Sequence, residues 1–147
     1  MIGRIPLLVL ALVLSGCSSS VEPDEATPPE RVGVIWGLDR NDPAITIPDS
    51  ARVDETMWVT VVTWWPNGCS EASRTSVEEN DDRFLVTPYD LDWEAVADGC
   101  EMMGTSHTHT VGLVFAAPGI VRVTIQGRHA PYAEYLTSVH RFVTVVR

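Results

Sequence analysis

From Arg31 onward the chain is written in a period of two. Runs rich in Val, Ile, Thr and Trp alternate apolar with polar residues, and turn formers interrupt each run. In Val111–Phe115, the side chains of Val111, Leu113 and Phe115 share one face. In Val121–Gln126, Val121, Val123 and Ile125 share a face, while Arg122, Thr124 and Gln126 point the other way. With Ala116-Ala117-Pro118-Gly119 between them, these two runs predict a half-buried antiparallel hairpin. Further strands are predicted over Val32–Trp36, Ala44–Ile47, Thr56–Trp64, Ser73–Glu79, Phe84–Pro88, Thr108–Phe115 and Val139–Val146. Turns are expected at Asn41-Asp42-Pro43, Pro66-Asn67-Gly68, Asn80-Asp81-Asp82, Asp98-Gly99, Ala117-Pro118-Gly119 and Ala130-Pro131. One helical turn is expected around Leu91–Ala97.

About eight short strands in one domain fit an all-β, antiparallel sandwich better than a barrel. The stretch Phe115–Gly127, FAAPGIVRVTIQG, resembles the late strands of bacterial immunoglobulin-like domains. That resemblance implies an immunoglobulin-like β-sandwich of about 7–8 strands over residues 31–147, and implies nothing about activity. One strand is apolar on both faces: Met57, Val59, Val61 and Thr63 against Trp58, Thr60, Val62 and Trp64. It is read as a central strand covered on both sides, the other reading being a Trp-bearing ligand face.

The first seventeen residues, MIGRIPLLVLALVLSGC, have a different texture. One arginine precedes an uncharged apolar run, Ile5–Leu14. At about 1.5 Å per residue the run spans roughly 15 Å, half of a ~30 Å bilayer core. A positive start, a short apolar stretch and small residues after it make an export signal. The ending Leu14-Ser15-Gly16-Cys17 resembles the lipobox of bacterial lipoproteins. The resemblance implies cleavage before Cys17, removal of 1–16, and a diacylglycerol on the Cys17 thiol. It also implies a place in the cell envelope, anchored to a membrane by lipid. Ser18 stands where lipoproteins retained in the inner membrane carry Asp, so the resemblance implies the outer membrane as destination if the organism is Gram-negative.

Residues 17–30 carry the anchor and a spacer, SSSVEPDEATPPE, with three Ser, three Pro and four acids. Proline and like charges keep such a segment extended and solvated. The whole chain has a net charge of −10, and all ten basic residues are arginine. Without lysine there is no Schiff-base nucleophile. Losing Arg4 with the signal leaves nine arginines against 20 acids, a surface that repels phosphate backbones. Nucleic acid is excluded as a partner on that ground.

With Cys17 lipidated, Cys69 and Cys100 are the remaining pair, and export places them where disulfides persist. A bridge is expected, the alternative being a metal-binding or redox thiol. His107 and His109 lie two apart and project from one face of a strand, so Zn or Cu is the alternative cofactor to none. Met102 and Met103 offer soft donors nearby. The same strand face continues as Val111, Leu113 and Phe115, which favours histidines sitting at the end of the core. The His–Cys–His–Met order of blue-copper sandwiches is not met. The acids Glu78, Glu79, Asp81 and Asp82, and again Asp90, Asp92 and Glu94, read as solvated surface rather than a Ca²⁺ site, since neither fits an EF-hand loop. No G-x-S-x-G elbow is present. The expectation is a lipid-tethered, non-catalytic β-sandwich with an envelope protein or glycan as partner.

Overall fold

A computed structural model describes residues 27–36, 43–130 and 135–147. The signal segment 1–16, Cys17 and the spacer to Ala26 lie outside the described residues, as do Asn41, Asp42 and Pro131 of the expected turns. The described chain forms ten strands and one 3-10 turn. These are β1 (Glu30–Val32), β2 (Val34–Trp36), β3 (Ile45–Thr46), β4 (Ser50–Arg52) and β5 (Thr56–Trp65). They continue as β6 (Ser70–Asn80), β7 (Arg83–Asp92), the 3-10 turn Trp93–Ala95, β8 (Thr105–Val114), β9 (Gly119–Ala130) and β10 (Leu136–Val146).

Two sheets face each other. The larger runs β1-β7-β9-β10-β4, with β2 added on β9 and β6 on β7; the smaller runs β3-β5-β8. The expected all-β sandwich is the observed architecture. Three contacts in the larger sheet are parallel: β10 with β4, β2 with β9, and β7 with β9. Strand Val32–Trp36 is broken at Gly33, whose flanking halves pair with different strands. A Cβ at Gly33 would lie 2.3 Å from Thr63 Cγ2, so only glycine lets the chain cross there. Strand β4 was not expected; three residues, Ser50–Arg52, are too few to carry a period.

The core holds Val59, Val61, Val86, Val123, Ile125 and Val143 from both sheets, with Phe84 against Phe115 edge-on at 5.2 Å. The faces expected for Val111–Phe115 and Val121–Gln126 are observed, but the hairpin is not. Strand β8 pairs with β5, and β9 pairs with β10, so the connection crosses from one sheet to the other. Alternation fixes which side of a strand is buried, and both strands satisfy it by facing each other across the core. Strand β5 is also corrected: Met57, Val59, Val61, Thr63 and Trp65 are buried, while Trp58 is 61% exposed. Nothing among the described residues covers its second face as a core would.

Candidate functional site

The two ends of the sandwich interior differ in chemistry. Each inward stripe that starts apolar ends polar: Met57 to Thr63 and Trp65 on β5, Phe84 to Asp90 and Asp92 on β7, Leu113 to His109 on β8. The register places these ends together. Asp90, fully buried, lies with Oδ1 2.8 Å from His109 Nε2, and Trp65 Nε1 donates to its Oδ2 at 2.9 Å. Thr63 Oγ1 is 3.3 Å from the same His109 nitrogen, and Thr75 Oγ1 is 3.4 Å from Nδ1. Asp92 is held by Arg31 Nε at 2.9 Å and caps the 3-10 turn by accepting from the Glu94 amide. The expectation of solvated acids therefore holds for Glu78, Glu79, Asp81 and Asp82 and fails for Asp90 and Asp92. Those two continue the inward stripe of β7, where a carboxylate persists only with bound partners.

His107 and His109 do project from one face of β8, as expected, but each has its own partner. His107 Nε2 meets Ser70 Oγ at 2.8 Å, while His109 spans Asp90 and Thr75. The serine and the aspartate thus sit on different histidines, which breaks the relay that Ser-His-Asp hydrolysis needs. Among the described residues no three His, Cys, Asp or Glu side chains come together as metal ligands. Met102 and Met103 are exposed and outside the cluster. The Ser70–His107 and Thr75–His109 contacts stitch β6 of the larger sheet to β8 of the smaller.

Cys69 and Cys100 form a disulfide, with Cα atoms 5.3 Å apart and a sequence separation of 31. It sits in a knot of loop contacts. Gly68 N donates to Glu101 O, Trp93 N to Cys69 O, and Asn67 Nδ2 to Glu94 Oε2. Asn67 Oδ1 accepts from the Cys69 amide. The bridge pins the loops before β6 and β8 at the polar end.

The solvent side of the smaller sheet is where exposed chemistry collects. Strand β5 presents Thr56, Trp58, Thr60, Val62 and Trp64; β8 presents Ser106, Thr108, Thr110, Gly112 and Val114; β3 adds Thr46. None of these eleven residues is charged, on a chain of net charge −10. Hydroxyls lie in rows across the strands, as in Thr46, Thr60 and Thr110, the last two with Oγ1 atoms 3.5 Å apart. Two indoles lie over glycines. A Cβ at Gly112 would be 3.3 Å from Trp58 Cζ3, and one at Gly104 would be 3.1 Å from Trp64 Nε1. Trp36, also exposed, meets Trp64 edge-on at 5.3 Å. Sequence reasoning had this face in hand as the less favoured reading of β5; strand alternation cannot tell a second core layer from a displayed surface.

At the Trp58 end, an open groove of about 590 Å³ runs between β4 and β5. Ser50, Arg52, Glu55 and Thr56 give it polar walls, with Pro48 and Trp58 as apolar ones. Its rim turn is fixed: Val53 N donates to Val146 O, Asp54 N to Phe115 O, and Asp54 takes a left-handed φ of 60°. Among the described residues neither Arg52 nor Glu55 has an ion-pair partner. No helix among them is long and apolar enough to cross a membrane. No family model matches the chain, and neither a curated protein nor a solved structure matches it.

Proposed function

We propose that this chain is a lipid-anchored lipoprotein of the cell envelope whose β-sandwich is a non-catalytic binding module. The observation that carries the reading is the uncharged, Trp-bearing outer face of β5 and β8, set in an acidic surface. Solvent-facing sheet surfaces ordinarily carry charge, and a large neutral aromatic area marks a place where something docks. The Leu14–Cys17 lipobox and the spacer that follows supply the tether. The buried Asp90–His109 pair and the Cys69–Cys100 bridge supply rigidity behind the face. A face presented on strands of a cross-linked sandwich is preorganised for binding.

Two measurements in the native host test it. Radiolabelled palmitate should enter the full-length protein and not its Cys17→Ser variant; equal labelling would remove the anchor from the proposal. A photo-crosslinking side chain placed at Thr108 should give a discrete adduct in living cells, and one at exposed Glu79 should not. Absence of any adduct at Thr108 would leave the face without a ligand and end the binding reading.

A further inference from the structure

We infer that the ligand of this face is a neutral, β-linked polysaccharide strand of the surrounding envelope, lying along β5 from the Trp58 groove towards Trp64. The inference rests on the binding-module reading and names its ligand. Charge is the first argument. Eleven surface positions without a single ionised group offer nothing to a polyanion or a polycation, and the acidic remainder of the chain repels the former. An uncharged ligand matches these uncharged strand positions.

Ring geometry is the second. Trp58 lies across Gly112 with one side of its indole backed by the strand and the side chain 61% exposed. An indole face carries negative charge density. The axial C–H bonds of a β-linked pyranose present the opposite partial charge on a flat apolar face of similar size. Trp58 and Trp64 stand six positions apart on one strand, roughly 20 Å at the usual rise, enough for a run of several sugars. Between them Thr60, Thr108 and Thr110 offer hydroxyls that both donate and accept, the pairing a sugar's own hydroxyls require. In the groove, Arg52 and Glu55, without ion-pair partners among the described residues, supply directional bonds at one end of the strand.

The test uses the full-length protein in detergent, with insoluble chitin and cellulose and the soluble hexasaccharide of each as probes. Heparin serves as polyanion and dextran as α-linked control. Retention on chitin or cellulose, with a shift in Trp fluorescence on adding the matching hexasaccharide, is expected. Trp58→Ala should weaken hexasaccharide binding about tenfold or more, as loss of an aromatic anchor does. Thr108→Glu, a change at an exposed position, should weaken it too if the tryptophan variant fails to fold. Failure to bind either neutral glycan would overturn the inference, as would equal binding by both variants or preference for heparin. A dimer in sedimentation velocity that Thr108→Glu dissociates would overturn it as well, by giving the face to a second copy. A Thr108 cross-link to a protein in cells, with no glycan bound, would sink this inference and leave the binding module standing.

Discussion

Asp90 shows how much of a fold can hang on one buried carboxylate. Its two carboxylate oxygens are used by different strands of the smaller sheet, Oδ1 by His109 of β8 and Oδ2 by Trp65 of β5. Removing one side of a buried, hydrogen-bonded pair typically costs about 3–5 kcal/mol, because the remaining polar group has no water to turn to. Asp90→Ala should therefore lower the unfolding free energy by about that much in urea titration, while Trp65→Phe, which leaves one oxygen unsatisfied, should lose about 1–3 kcal/mol. Equal, small losses from both would mean the carboxylate is hydrated. Glu30, at the start of β1, behaves differently because it is accessible. The Ser73 hydroxyl, then the Arg74 guanidinium, hold its carboxyl below the ordinary value of 4.5. A lowered value means the ionised form favours the fold, so this contribution is complete above 4.5 and disappears as the pH falls below it. Glu30→Gln should accordingly lower the unfolding free energy, and with it the urea midpoint, slightly at neutral pH, by less than about 1 kcal/mol for so exposed a pair. The gap from the wild-type midpoint should close in acid.

At the level of elements, the strands were legible and their partners were not. Period two in Val121–Gln126 gives the buried face of β9 directly, yet the same pattern in β8 did not reveal that the two strands belong to opposite sheets. A turn of Ala-Ala-Pro-Gly serves a hairpin and a sheet-to-sheet crossing equally well, and only long-range packing chooses between them. The polar end of the core was legible in pieces. Thr63, Asp90 and His109 each sit on an inward stripe, but that they meet depends on register, which no local sequence encodes. The aromatic face of β5 was half visible: two apolar faces are plain in the sequence, and whether a third layer covers one of them is a property of the whole chain. The Cys69–Cys100 pairing was readable because, with Cys17 set aside, only one intramolecular combination remains. Its energetic role belongs to the loops it joins. Closing about 32 residues restrains the unfolded chain by roughly 3.5 kcal/mol on loop entropy. Replacing both cysteines by alanine should lower the unfolding free energy by about 3 kcal/mol, with the urea slope rising as the unfolded state expands. Wild-type protein under reducing denaturation should give the same numbers; a variant as stable as the oxidised protein would show that the Asn67–Glu94 and Gly68–Glu101 contacts suffice.

For the molecule as a whole, the proposed lipid anchor has one rival as a membrane-holding surface. A net charge of −10 works against anionic headgroups, but charge is unevenly spread. The outer sides of β9 and β10 carry Arg122, Arg128 and His140 with exposed Ile120 and Phe142, and neither strand contains an acid. Attachment could therefore come from acyl chains or from this basic, partly apolar face, and ionic strength separates the two. Acyl chains partition by the hydrophobic effect, about 0.8 kcal/mol per buried CH₂, which salt does not weaken. Arginine contacts with headgroups are screened within about 10 Å at 0.1 M salt and less at higher salt. With the lipid on Cys17 as the attachment, membranes washed in about 1 M NaCl should retain the wild-type protein. Cys17→Ser should already be free of the membrane at low salt. If Cys17→Ser instead stays on the membrane at low salt and leaves at high salt, the β9–β10 face is the attachment surface. The neutral face of the smaller sheet, on the opposite side of the sandwich, would then point away from the bilayer towards the rest of the envelope.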